Sequence, residues 1–217
     1  MTISNLEEIE CPYGHVFEAE LLSAINVSDN PELKSVLMEG EINVVSCPEC
    51  KKIFYTECFI LYHDRENEVI VFAYPLSFQN QAVRCKRQMR EEFELVLKNF
   101  EEKEKINYEP LMLFGIEDLV SLLYYEQDIE DEEIVLKYLA SELMLDTVRI
   151  APSLARKLRI PKVLPVSKGE KNLEANSLIS SLQILTKYNS NLLHYVKFLD
   201  KISKNKAIIA DIKNDIG

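Results

Sequence analysis

A chain of 217 residues with 47% apolar content is long enough for one sizeable globular domain or two small ones. It has no apolar run near the ~18 residues needed to span a membrane, and its first eight residues lack the basic and apolar blocks of a signal peptide. The net charge of −11 is uneven: residues 1–145 carry 12 Lys and Arg against 30 Asp and Glu, and residues 146–217 carry 13 against 6.

Such asymmetry predicts that the basic part docks on the acidic part, within one chain or between copies, in preference to binding nucleic acid. Five cysteines, two of them in Cys-x-x-Cys spacing, favour a reducing compartment with metal-bound or free thiols over a disulfide framework. A cytoplasmic protein without a membrane partner is expected.

In chain order, the first signal is Cys11-Pro12-Tyr13-Gly14-His15. Residues 16–22 then alternate, with Phe17, Ala19 and Leu21 against Glu18 and Glu20, as a strand does. Ser28 or Asp29 as cap and Pro31 in the first turn predict a short helix carrying Leu33, Val36 and Leu37 and stopping at Gly40. Cys47-Pro48-Glu49-Cys50 follows, flanked by predicted strands at 41–46 and 52–62. Cys58 lies in the second of these at period two and reads as a small core residue rather than a fifth thiol near the site. A polar turn at 64–67 and a strand at 68–74 complete a hairpin.

Residues 80–105 predict a helix with Met89, Phe93, Val96, Leu97 and Phe100 on one stripe and a solvated charged end at 101–105. Its basic start, Arg84, Lys86, Arg87 and Arg90, is followed by Glu91, Glu92 and Glu94 and reads as a salt-bridged surface. Residues 107–113 read as a connection. Two helices are expected at 116–126 and 134–145, separated by an acidic turn at 127–131 with Asp131 capping the second. Pro152, Pro161, Pro165 and Gly169 make 146–170 a basic linker, followed by a helical hairpin at 172–188 and 190–213. Three regions result: 1–78, 79–145 and 146–217.

The chemistry concentrates in the two Cys-Pro turns, or knuckles. A Cys-x-x-Cys pair lets two thiolates reach one metal from a tight turn, and two such turns close a tetrahedral zinc site. The second knuckle is complete. The first has Gly14 where its second cysteine would stand, and His15 follows directly. Cys11, His15, Cys47 and Cys50 are therefore the candidate ligands of a structural Cys₃His zinc site. An empty pair of turns with reduced, packed thiols is the competing reading. Thiol exchange fits less well, because it favours a cysteine at a helix N-terminus and the pattern after Cys50 is that of a strand. Both knuckles lead into strands, Val16-Phe17 and Ile53-Phe54, a faint repeat that would bring the two turns together at one end of a sheet.

Other candidates are weaker. His63-Asp64 invites a general-base reading, but neighbours in a strand point to opposite faces, so a turn-anchoring pair is favoured. The acidic stretch 126–133 lacks the glycine and regular ligand spacing of a calcium loop. His194 has no partner suggested by its surroundings. With five glycines, no phosphate-cradling loop and no nucleophile motif, the chain is not expected to be an enzyme.

From Cys11 to about Leu76 the chain resembles the CpXC domain, a bacterial and archaeal family named for two Cys-Pro-x-Cys motifs. The matching pieces are Cys11-Pro12, Ile25-Asn26-Val27-Ser28 with Pro31-Glu32-Leu33, Cys47-Pro48-Glu49-Cys50, Leu61-Tyr62-His63-Asp64 and Val69-Ile70-Val71-Phe72. A weaker likeness continues through Phe114-Gly115-Ile116-Glu117-Asp118-Leu119 to about Leu145. Gly14 departs from the family's four-cysteine pattern. The resemblance implies a metal-bound α+β module and supplies no activity.

The expected fold is α+β: a zinc-ribbon-like antiparallel sheet with two knuckles and an inserted helix, followed by a mostly helical second half. The expected function is a non-enzymatic interaction module with a structural zinc, meeting a protein partner or a second copy of itself. The alternative is nucleic-acid binding through the basic segment 146–217.

Overall fold

The computed structural model describes residues 2–99, 106–169, 174–205 and 207–216. The fold is α+β, and the chain divides into two compact units, 1–124 and 125–217.

The first unit is built on a five-stranded sheet in the order β1 (Ile3–Glu10), β2 (Val16–Asn26), β5 (Ile60–Asp64), β6 (Val69–Tyr74), β7 (Leu111–Phe114). A separate two-stranded hairpin pairs β3 (Val44–Ser46) with β4 (Ile53–Tyr55). The main sheet is mixed: β1–β2 and β5–β6 are antiparallel, whereas β2–β5 and β6–β7 are parallel. Each parallel pair needs a crossover. The first crossover contains the inserted helix α1 (Glu32–Met38) together with the β3–β4 hairpin, and the second contains α2 (Ala82–Asn99).

Helices cover both faces of this sheet, which explains why all six residues of β6 are buried. On one face Val69, Val71 and Ala73 pack with Ile25, Tyr62, Leu37 of α1 and Leu119 and Leu123 of α3 (Ile116–Glu142). On the other, Ile70, Phe72 and Tyr74 pack with Cys85 and Met89 of α2, with Phe93 beside them. The side chain of Val96 and residues 100–105, including the expected charged end, lie outside the described residues.

Two sequence expectations change in this unit, and one strand had no expectation to meet. The acidic N-terminus forms β1, an exposed strand that pairs along its whole length with β2 although it lacks apolar alternation. The expected strand at 52–62 is two strands in different sheets, β4 and β5. Residues 107–113, read as a connection, contain most of β7, whose short apolar run carries too little periodicity to declare itself.

The second unit contains the C-terminal part of α3, the two-stranded sheet of β8 (Leu145–Arg149) and β9 (Val163–Ser167), and helices α4 (Pro152–Leu158), α5 (Ala175–Tyr188), α6 (Leu193–Lys204) and α7 (Ala207–Ile216). Its core gathers Leu136, Leu164, Leu182, Tyr195, Ile202 and Ile212. The segment 146–170, read as a linker, is thus a β-α-β element up to Ser167, with Pro152 at the first turn of α4. The expected helix at 190–213 is two helices meeting at Asn205. The expected start of the preceding helix falls in 170–173, outside the described residues.

The acidic turn at 127–131 is absent: α3 runs unbroken from Ile116 to Glu142, and Asp131 caps nothing. Its carboxylates are matched from the basic segment. Glu126 bonds Arg156, and Glu130 Oε1 lies 2.6 Å from Lys162 Nζ. Glu133 is buried and accepts the backbone N–H groups of Lys162 (3.0 Å) and Val163 (3.3 Å). Burial pushes the Glu133 carboxyl above its usual range, against the pull of Lys162. A few of the acidic charges of residues 1–145 thus meet basic groups of 146–217 within the second unit. Among the described residues no helix is long and apolar enough to cross a membrane.

Candidate metal centre

Both knuckles are hairpin tips, and their backbones explain why one carries two cysteines and the other one. The first joins β1 to β2. Cys11 N–H donates to His15 O (2.8 Å), Gly14 N–H donates to Cys11 O (2.8 Å), and Gly14 has φ +85°. This is a three-residue loop, Pro12-Tyr13-Gly14, with proline opening the turn and glycine in the left-handed position that closes it. The second joins β3 to β4. Cys47 N–H donates to Lys52 O (2.9 Å), Lys51 N–H donates to Cys47 O (3.0 Å), and Lys51 has φ +59°. Its loop has four residues, Pro48-Glu49-Cys50-Lys51.

Gly14 is therefore the geometric counterpart of Lys51, and the first loop has no residue at all in the place of Cys50. Spacing in the sequence alone sets Gly14 in the cysteine's place. His15, the first residue past the loop, brings a ring nitrogen to within 4.8 Å of the three sulfurs instead.

The two hairpins are held side by side by Phe17 and Phe54, the paired residues of the repeat, whose rings meet edge to face at 6.3 Å. At their tips four donor atoms converge, all within 4.8 Å of one another: one each from Cys11, His15, Cys47 and Cys50. Cys11 Sγ lies 3.4 Å from His15 Nδ1 and 3.9 Å from Cys50 Sγ, and Cys47 Sγ lies 3.7 Å from His15 Nδ1. A tetrahedron with Zn–S near 2.3 Å and Zn–N near 2.05 Å has edges of roughly 3.8 Å (S···S) and roughly 3.6 Å (S···N). These three of the six edges match, and the other three separations stay within 4.8 Å, so the donors lie close enough to share one metal ion.

The surroundings support ligation. Cys11 and Cys47 are buried and Cys50 is exposed. Tyr13 N–H donates to Cys11 Sγ (3.4 Å). Burial opposes ionisation of Cys47, but the backbone N–H groups of Cys50 and Glu49, with the Cys50 and His15 side chains, bring its thiol down to about 6. At Cys50 the Lys52 N–H favours the thiolate, yet burial and the neighbouring Cys47 and Cys11 sulfurs outweigh it and push the thiol up. His15 turns Nδ1 to the sulfurs and Nε2 to Glu49, 3.4 Å from Oε2. A carboxylate on the far ring nitrogen orients a histidine for metal binding. Sequence reading passed over Glu49, because its contact follows from the loop's curvature and not from spacing.

The remaining candidates fall elsewhere. Cys58 accepts from Asn43 Nδ2 (3.1 Å), packs at the edge of the first core and stands outside the cluster. His63 Nε2 lies 2.8 Å from the Tyr108 hydroxyl, whereas Asp64 holds its own turn by accepting Asn67 N–H and Nδ2. His and Asp thus serve opposite faces, as a strand requires. His194, which looked partnerless, donates its backbone N–H to Glu132 and sets Nδ1 2.8 Å from Glu132 Oε1. A separation of 62 residues left no local signal for that pair.

The model of the CpXC protein family matches residues 9–136, more than half of the chain. The chain belongs to the CpXC family. The match takes in both knuckles and the whole main sheet from Ile9 onward, and it ends before β8. No curated protein and no solved structure matches the chain. Beside the second knuckle of this chain, the first is shorter by the residue that would carry the fourth thiol.

Proposed function

We propose that this CpXC protein is a non-enzymatic interaction module whose knuckle end is held by a structural zinc ion on Cys11, His15, Cys47 and Cys50. The carrying observation is the convergence of three sulfurs and one imidazole nitrogen within 4.8 Å of one another, with three of the separations at 3.4–3.9 Å. Three thiolates and a histidine are the donor set of closed structural zinc sites, and with His15 in place no position is left for a reactive water. The metal would tie the two hairpins at their tips, beyond the Phe17–Phe54 contact.

The interaction part rests on what those hairpins display. Tyr13, Val16, Val44 and Ile53 are exposed on the strands and loop that carry the ligands, an apolar group suited to contact with another protein. Nucleic-acid binding through 146–217 has less in its favour, because Arg156 and Lys162 already face Glu126 and Glu130.

Elemental analysis of protein purified without chelator tests the metal. About one zinc per chain is expected, and Cys47→Ser should lose it and lower the melting temperature. A Cys47→Ser protein unchanged in metal content and folding would refute the metal reading. For the surface, Tyr13→Ser should weaken self-association or partner capture; sedimentation and pull-down profiles identical to wild type would refute contact there.

A further inference from the structure

We infer that a cavity in the first unit binds an organic cation carried on an apolar body. The cavity, about 710 Å³, opens between β1, the segment leading into β5, the turn after β6, and α2. That volume lies in the range of small-molecule sites, roughly 300–1,000 Å³. Its walls combine three carboxylates, Glu7, Glu57 and Glu92, with three aromatic rings, Phe59, Tyr74 and Phe78.

Among the described residues no lysine, arginine or histidine lines it, and no salt bridge reaches the three carboxylates. Their neighbours are neutral donors: Leu76 N–H on Glu57 (2.6 Å) and Gln88 Nε2 on Glu92 (2.8 Å). Three negative groups therefore share one concavity without a counter-charge among the described residues. Their field shows in the groups beside them. After burial itself, Glu7 and Glu57 help raise the Cys58 thiol to about 11, with the Asn43 amide opposing; after burial, Glu92 helps raise the Tyr74 hydroxyl to about 12.

A bare metal ion is a poor occupant. Metal ligation needs donors gathered within a few ångströms, and among the described residues the knuckle cluster is the group of potential ligands that meets this spacing. An apolar neutral ligand would leave the carboxylates unanswered, and an anion would be repelled. An ammonium or guanidinium on a hydrocarbon or aromatic stem satisfies both halves of the wall. The charge meets the carboxylates, and the stem lies on Phe59 and Tyr74, whose rings are 5.2 Å apart, under Phe78, which is 40% exposed at the rim. Such a cation is supplied by a free amine or by a lysine or arginine side chain of a peptide.

The test uses the full chain, isotope-labelled, with three isosteric probes: phenethylamine, 2-phenylethanol and 3-phenylpropanoate. Phenethylamine should shift amides at 3–7, 57–61 and 74–78 and bind at least about tenfold more tightly than the alcohol, with the carboxylate showing no saturable binding. A capped arginyl tripeptide forms the second arm. Tighter binding than phenethylamine assigns the cation to a peptide side chain, and weaker binding assigns it to a free amine. Glu7→Gln with Glu92→Gln should abolish the preference for amine over alcohol, and Phe78→Ala should weaken both; an amide spectrum otherwise like wild type verifies folding. Equal binding of amine and alcohol, no binding of either cation, or amine selectivity that survives Glu7→Gln with Glu92→Gln would overturn the assignment.

Discussion

Substituting Gly14→Cys restores the spelling of a second Cys-x-x-Cys but should not restore a fourth thiolate. The Gly14 backbone has φ +85° and is the counterpart of Lys51, whose exposed side chain folds back to Pro48 O (2.7 Å) and not toward the sulfurs. A Cβ at Gly14 meets Glu10 Oε1 at 3.8 Å, an ordinary contact, so the cost is conformational. A left-handed L residue costs about 1–2 kcal/mol, offset by about 0.4–1 kcal/mol from a stiffer unfolded chain. The net is about 1 kcal/mol, a fall of ~3–5 °C in melting temperature for a unit of this size. Inserting one cysteine between Tyr13 and Gly14 is the change that should work. It lengthens the loop to four residues, keeps glycine in the left-handed position and places a thiol where Cys50 stands in the other loop. Cobalt substitution reads the result, since thiolate-to-cobalt charge-transfer intensity follows the number of sulfur ligands and the His15 imidazole resonance reports its own release. Gly14→Cys should keep the three-thiolate spectrum, and the insertion should gain intensity and free His15. A four-thiolate spectrum from Gly14→Cys would refute the loop correspondence.

Two further outcomes follow from the second unit. Asp131→Pro places proline at an exposed position inside α3 and should cost about 3 kcal/mol or more, seen as lost helicity and a lower melting temperature; tolerance would mean that a break exists there after all. Glu133 has a folded-state pKa raised above its unfolded value of 4.5, so its contribution to stability is fully present below that value and is lost as pH rises through the folded one. Glu133→Gln, which keeps an acceptor for the Lys162 and Val163 N–H groups, should flatten this part of the stability profile of the second unit, and denaturation midpoints that fall in parallel for both proteins would contradict it.

Local chemistry was legible in the sequence, and long-range compensation was not. The knuckles announce themselves because a metal-binding turn packs its signal into four or five consecutive residues. The β5–β6 hairpin was visible for the same reason, a polar turn between two β-branched and aromatic runs. Six acidic residues from Glu126 to Glu133 read as a break because nearby charges of one sign repel, and the Arg156 and Lys162 cations that relieve the repulsion, like the His194 ring that bonds Glu132, lie about thirty to sixty residues on. Likewise β1 is a strand because β2 lies beside it, not because of its own pattern, and the parallel pairing of β2 with β5 is decided by a crossover that no window of sequence contains. His15 was picked out by residue type, but its partner Glu49 became visible only once the loop was built.

The exposure of β1 has a bearing on how the molecule behaves in crowded solution. An outermost strand of eight residues offers a row of unpaired backbone groups along its free side, and such rows invite a second chain to add itself and start a fibre. Here the strand carries Glu7, Glu8 and Glu10. A second copy adding in parallel and in register would set each of these carboxylates against its own counterpart along the seam. The acidity that hid this strand from a reading of hydrophobic pattern thus guards it from its own kind, and keeps the end of the sheet nearest the first knuckle from becoming a template for aggregation.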